Sequence, residues 1–163
     1  MAMVIKSPSP LGKYPYQTTL FLGGSISEGK SRNWQSELSK ELLTAFGDDV
    51  VILNPRRSDW DSSWEQKKTF KPFREQVEWE LKAQEIADLR VYFFDPDTKS
   101  PITLMELGLF AKSNNLVYCP EGYFRKGNVD IVCEKYDIPV HTDLGQFKSA
   151  LISTIRSMSQ KKR

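Results

Sequence analysis

Five short apolar runs alternate along the chain with segments of helical periodicity, and this alternation restricts the fold more than any other feature. The runs are Thr18–Gly24, Val50–Leu53, Leu89–Phe94, Leu116–Cys119 and Ile138–His141. Between them apolar residues recur three or four positions apart: Trp34, Leu38, Leu42 and Ala45, then Phe73, Val77 and Leu81. A helix opened by Ser100-Pro101, another over residues 128–136, and a last one marked by Phe147, Leu151, Ile155 and Met158 complete the series. A strand that reads as a continuous apolar run is covered on both faces, which is the habit of parallel sheets with crossover helices. The pattern predicts a doubly wound α/β sandwich with five parallel strands and five helices. Ligands of such sheets bind beyond the carboxyl ends of the strands, where strand order reverses, so the loops after the strands should carry the chemistry.

A chain of 163 residues, 39% apolar and 27% charged, suits one domain with its own core. Residues 1–17 contain Pro8, Pro10 and Pro15, too broken for a helix, and are expected to form an extended arm. The domain proper is expected over 18–158, with 159–163 a basic tail. The 23 basic residues nearly balance 21 acidic ones, and three of the basic ones are the terminal Lys161, Lys162 and Arg163. A balanced body lacks the basic stripe that binds a nucleic-acid polymer. Cys119 and Cys133 lie in no metal or redox motif and suit a reducing compartment. With no run of 18 apolar residues, neither membrane spanning nor secretion is expected, and a cytoplasmic location is. The lone His141 excludes a two-histidine metal site, and neither metal nor cofactor is expected.

The segment Pro101–Ala111 is a helix apolar nearly all the way round, and such a helix should be buried. Glu106 is its only ionisable residue. A carboxylate held there either has a raised pKa or gathers hydrogen-bond donors, an arrangement common in active sites. Gly108, two residues on, leaves room for a close approach. Glu80 lies within or at the edge of the Phe73, Val77, Leu81 stripe and reads either as a second inward acid or as one more surface acid, whereas Glu75, Glu78 and Glu85 read as a solvated face. Asp88 reads as a turn or cap residue.

Gly24-Ser-Ile-Ser-Glu-Gly-Lys-Ser31 fits the spacing of a phosphate-cradling P-loop, with Asp95 at the end of a later strand. Glu28 and the absence of a middle glycine count against that reading. The glycine turn after the first apolar run still offers backbone N–H groups at a helix start, suited to a phosphate or a sugar hydroxyl. Arg56 and Arg57 follow the second run, and Trp60 and Trp64 either stack on a base or pack their long loop onto the body.

Taken together, Leu20-Phe-Leu-Gly-Gly-Ser-Ile26, Asn54-Pro-Arg-Arg57, Trp79-Glu80, Ala87-Asp88, Ser100-Pro-Ile-Thr-Leu-Met-Glu-Leu-Gly108 and Arg125-Lys-Gly-Asn-Val-Asp130 resemble the nucleoside 2-deoxyribosyltransferase-like family. The resemblance runs from about residue 18 to His141, and its most specific part is the run ending Glu106-Leu-Gly. It implies a flavodoxin-like sheet and cleavage or transfer at the N-glycosidic bond of a nucleoside or nucleotide. It makes Glu106 the nucleophile at the anomeric carbon and Glu80 the acid that assists the leaving base. The expected substrate-binding set is Gly23, Gly24, Ser25, Ile26, Arg56, Ser100 and Asn128. Asn128 would reach into a neighbouring subunit, implying a homodimer or larger homo-oligomer. Phe21 stands where the family often has a tyrosine, and Ser100 where it often has an acid. One carboxylate as nucleophile and one as proton donor suit an oxocarbenium-like transition state. The alternatives are a non-catalytic nucleotide-binding or interaction module of the same fold, and a P-loop phosphotransferase using Lys30 and Ser31.

Overall fold

Alternation of side chains along each strand sorts the core into two layers. In β2 (Thr18–Gly24), Leu20 and Leu22 face one way and Phe21 the other, and all three are fully buried. The same division recurs in β3 (Val50–Asn54), β4 (Leu89–Phe93) and β5 (Asn115–Tyr118). Leu20, Leu22, Ile52, Val91 and Leu116 pack with Trp34, Leu38 and Leu42 of α1 (Trp34–Phe46) and with Phe147, Leu151 and Ile155 of α5 (Leu144–Lys162). Phe21, Leu53, Tyr92 and Val117 pack with α2 (Lys71–Ile86), α3 (Pro101–Leu109) and α4 (Lys126–Lys135) on the other face. Both faces of the sheet are therefore covered, as the apolar runs require.

The computed structural model describes residues 3–25 and 32–163. Ile26, Lys30 and Ser31 lie outside the described residues. Two further strands, β1 (Met3–Lys6) and β6 (Val140–His141), complete a sheet ordered β1-β3-β2-β4-β5-β6 in which every pairing is parallel. The sheet has six strands, not the five expected. Met3–Lys6 pairs along the outer edge of β3, from Met3 opposite Val51 to Lys6 opposite Asn54. The prolines that break the arm all follow it, so none interrupts the pairing of these four residues with β3. Without β1 the order is 2-1-3-4-5, and the reversal falls between β2 and β4.

Two other expectations are corrected. Helix α3 is not buried all round: Ile102, Met105 and Leu109 are 54%, 57% and 61% exposed. Thr103, Glu106 and Leu107 are its buried residues, with Leu104 partly buried beside them, because the sheet offers a single surface to cover a nine-residue helix. The inward face of α2 is also turned from the Phe73, Val77, Leu81 stripe, and its buried residues are Gln76, Trp79, Ala83 and Gln84. Polar side chains can take that face because each finds partners there, as described below. The tail continues α5 as far as Lys162, whose Nζ meets Asp88 Oδ2 at 2.6 Å and the Gln17 carbonyl at 2.7 Å. Asp88 also accepts from the Thr19 N–H and hydroxyl, so it binds the starts of β2 and β4 to the end of α5. Among the described residues no helix is long and apolar enough to cross a membrane.

The glycines that end β2 are packing residues. A Cβ at Gly23 would lie 2.9 Å from the rings of both Phe21 and Tyr92. At Gly24, with φ of 155°, it would lie 2.4 Å from the Phe93 carbonyl oxygen and 2.7 Å from the Trp34 ring. Gly108 is the opposite case, with nothing within 4 Å of a Cβ. Gly24→Ala is therefore expected to destabilise the fold by about 2 kcal/mol or more. Gly108→Ala should stabilise it by about 0.5–1 kcal/mol through helix propensity. Urea unfolding of the two variants measures both.

Candidate active site

Helix periodicity sets Gln76, Glu80 and Gln84 on one face of α2, four residues apart, turned towards the layer that holds Glu106. Glu106 projects from α3 and is 5% exposed. The Gln84 Nε2 group donates a short hydrogen bond to Glu106 Oε2 and a second, of 3.2 Å, to the Glu80 carbonyl. At its other end Gln84 Oε1 accepts from the Tyr92 hydroxyl at 2.6 Å. That contact fixes which end of the amide faces the carboxylate, since a phenol donating to an oxygen leaves the nitrogen for Glu106. Glu80 is held in the same way: Gln76 Nε2 donates to Glu80 Oε1 at 2.6 Å and to the Pro55 carbonyl at 2.8 Å.

Both acids are strongly perturbed. Burial pushes Glu80 up to about 7, against the opposing hydrogen bond from Gln76. Burial, and then the negative charge of Glu80, push Glu106 up to about 8, against the bond from Gln84. Tyr92 is driven upward by burial and by Glu106, so it stays a neutral donor. Arg90, 4% exposed near the start of β4, closes the carbonyl end of α2 with its Nη1, which donates to Gln84 at 2.6 Å and Ala87 at 2.9 Å. A cation at that end is favoured by the helix dipole and anchors the turn bearing Gln84. Two neighbouring acids raised in this way hold about one proton between them near neutral pH, the condition for one to act as a base or nucleophile and the other as an acid.

The remaining expected residues fall into separate places. Ser25 and Ser100 meet at the reversal point with their hydroxyls 2.5 Å apart, and Thr98 closes the triangle at 2.7 Å from each. Ser25 Oγ also accepts from the Asp95 N–H at 2.9 Å. Ser100 does not cap α3 as its position before Pro101 suggests; its backbone is left-handed, with φ of 47°, and its hydroxyl turns to Ser25. Gly23 and Gly24 face aromatic rings, as described above. Arg57 is spent on the loop, bonded to Asp59 and Glu75 and lying over the Trp64 ring. Trp60 and Trp64 pack against each other and against Phe73 and Phe70. Arg56 differs, because its Nη1 is shut off from solvent without a hydrogen-bond partner among the described residues.

Asn128 is exposed on α4 and lines a groove of about 300 Å³ with Leu104, Leu107, Gly108 and Arg125. A second depression, of about 570 Å³, lies along the outside of α2 between Leu11 and Lys82. Neither has Glu80 or Glu106 in its wall. Among the described residues no three His, Cys, Asp or Glu side chains come together as a metal would require. Sequence reasoning passed over Gln76, Gln84, Tyr92 and Arg90. The available signal was the spacing of four that places a glutamine on each side of Glu80.

An acid whose folded pKa is raised stabilises the fold least when it must ionise. The contribution is intact below the ordinary carboxylate value of 4.5 and is lost as pH rises through about 8. Glu106→Gln keeps an oxygen for Gln84 and removes that ionisation. Between pH 5 and 8 the natural chain should lose stability that the variant retains, leaving the variant ahead at pH 8 by on the order of 2 kcal/mol. Chemical denaturation across that range is the measurement.

Comparison with known proteins adds to this geometry. The profile of the nucleoside 2-deoxyribosyltransferase-like family matches residues 17–123, a stretch that contains both acids and both glutamines. Among solved structures the fold is similar to that of a conserved protein from Enterococcus faecalis V583. The two share 11% identity with a TM-score of 0.60, over 87% of this chain and 99% of that one. No curated protein matches the chain.

Proposed function

Because the chain belongs to the nucleoside 2-deoxyribosyltransferase-like family, we propose that it cleaves or transfers at the N-glycosidic bond of a nucleoside or nucleotide. The observation that carries this reading is the pairing of buried Glu106 with partly buried Glu80, each raised and each held by a glutamine. A base nitrogen beside Glu80 is an acceptor that draws the pair's shared proton to Glu80 and leaves Glu106 ionised. The Glu106 carboxylate then attacks the anomeric carbon, the electrons of the glycosidic bond pass to the base, and Glu80 delivers its proton there. The glycosyl-enzyme ester is released by water or by a second base, and Glu80 takes back a proton from the incoming group. Gln84 and Tyr92 hold the nucleophile, a task that Phe21, with no hydroxyl, cannot perform. The free Nη1 of Arg56 suits an oxygen of the sugar or of a 5′ substituent.

The working form in this reading is a homo-oligomer. Ile102, Met105 and Leu109 of α3 are each more than half exposed. A second copy covering that face would bury the helix on all sides and bring Asn128 of one protomer towards the other. Cys119 and Cys133 are buried free thiols, pushed up to about 11 and about 12 by burial, which suits a cytoplasmic setting.

Assayed against deoxynucleosides and their monophosphates, the chain should release free base with a bell-shaped pH profile whose limbs fall near 7 and 8. Glu106→Ala should lower the rate at least about a thousandfold. Base release unchanged by that substitution would discard Glu106 as nucleophile, and nucleotide binding without turnover would favour a non-catalytic module. Met105→Lys should shift the chain towards monomer in light scattering, with a mass independent of the substitution counting against this interface.

A further inference from the structure

The segment before residue 17 lies outside the family match, yet it is fastened where the acids lie. Its strand β1 rises along β3, and at the end of that pairing the Ser7 N–H donates to the Asn54 carbonyl at 3.1 Å. Ser7 is 5% exposed. The chain then turns back across α2, where Trp79 Nε1 donates to the Ser9 carbonyl at 2.8 Å and Leu11 and Tyr14 rest on the core. The Ser7 hydroxyl points down the face of α2 and meets Gln76 Oε1 at 2.5 Å.

A buried side-chain amide has one accepting and one donating end, and its orientation is set by what each end meets. The Nε2 end of Gln76 lies between two oxygens, the Pro55 carbonyl and Glu80 Oε1. At the Oε1 end Ser7 is the donor. We propose that Ser7 is a positioning residue for Glu80, so that the N-terminal strand is a working part of the active centre rather than a trim on its edge. The catalytic consequence rests on the glycosidic reading above; the electrostatic one does not.

The hydroxyl-to-glutamine-to-carboxylate series from Ser7 repeats the one from Tyr92 through Gln84 to Glu106, with Glu80 between the two glutamines. Without the Ser7 hydroxyl, Gln76 Oε1 is buried with no donor. The amide then either loosens or turns its oxygen towards Glu80, and both changes withdraw an N–H from the ionised acid and favour the protonated one. The titratable groups around Glu80 are Glu106 on α3 and, behind Gln84, Tyr92 on β4. From the arm and the end of β3 it receives only the Ser7 hydroxyl, through Gln76, and the Pro55 carbonyl, neither of which titrates.

The test follows the carboxyl carbon of Glu80 by NMR in the full chain labelled with 13C-glutamate, its signal assigned by loss in Glu80→Gln. Ser7→Ala should raise the titration midpoint of Glu80 by about one unit, the equivalent of one hydrogen bond to a charged group. Ser7→Thr should restore the natural midpoint. Ser7→Cys, a weak donor of similar size, should lie between them and keeps the test usable if the alanine variant does not fold. Trp79→Phe, which frees the arm at Ser9 without touching Gln76, should leave the midpoint in place. A folded Ser7→Ala or Ser7→Cys variant with the natural midpoint overturns the proposal, as does a shift in Trp79→Phe equal to that in Ser7→Ala. Base release separates the two readings. A shifted midpoint in a chain that releases no base upholds the relay and removes the glycosidic activity, whereas robust base release with an unmoved midpoint does the reverse.

Discussion

Two carboxylic acids share one low-dielectric layer of this protein, and the local structure is organised around making that tolerable. Isolated, each would cost several kcal/mol to bury ionised. Here α2 supplies a glutamine one turn before Glu80 and another one turn after it, and each amide gives an N–H to a carboxylate. Neither amide can serve by itself, because a glutamine free to turn presents an oxygen as readily as a nitrogen. The hydroxyls of Tyr92 and Ser7 remove that freedom. The glycine at position 23 in turn leaves room for the Tyr92 ring, so a small residue in one strand supports an acid two elements away.

The sheet divides its work between its two faces and its ends. The α1 and α5 layer is apolar and aromatic, with Trp34 stacked on Phe93 at 4.6 Å between centroids and sealing the end of β2. Both acids and their glutamines lie in the α2, α3 and α4 layer, reached by the Tyr92 hydroxyl from β4 and the Ser7 hydroxyl from the arm. The Ser25, Thr98 and Ser100 hydroxyls hold the loops after β2 and β4 together at the reversal point, the place where sheets of this kind receive their ligands.

Much of the fold was legible because strands buried on both faces cannot hide their apolar runs. The exceptions have physical reasons. β1 is four residues at an edge beside prolines, too short for periodicity to register. The expected strand at Ile138–His141 shrank to Val140–His141, since Pro139 brings no N–H to the ladder. Glu106 stood out because a lone charge in an apolar helix demands an explanation, and Glu80 because it sat beside an apolar stripe. Their supports did not: a glutamine on a charged helix resembles surface, and a tyrosine in an apolar strand resembles core. The outward face of α3 misled for a different reason. Nine residues with one ionisable side chain read as buried all round, yet one helix on one sheet face is covered on a single side.

The clasp of Lys162 on Gln17 and Asp88 fixes the C-terminal helix at the amino ends of the strands. Met3 opens a parallel edge strand from that same side, so both extremities of the described chain leave from one pole, and the hydroxyl triangle at the reversal point occupies the other. Immobilising the protein on a surface through a tether at either extremity would therefore leave the opposite pole facing the bulk solution.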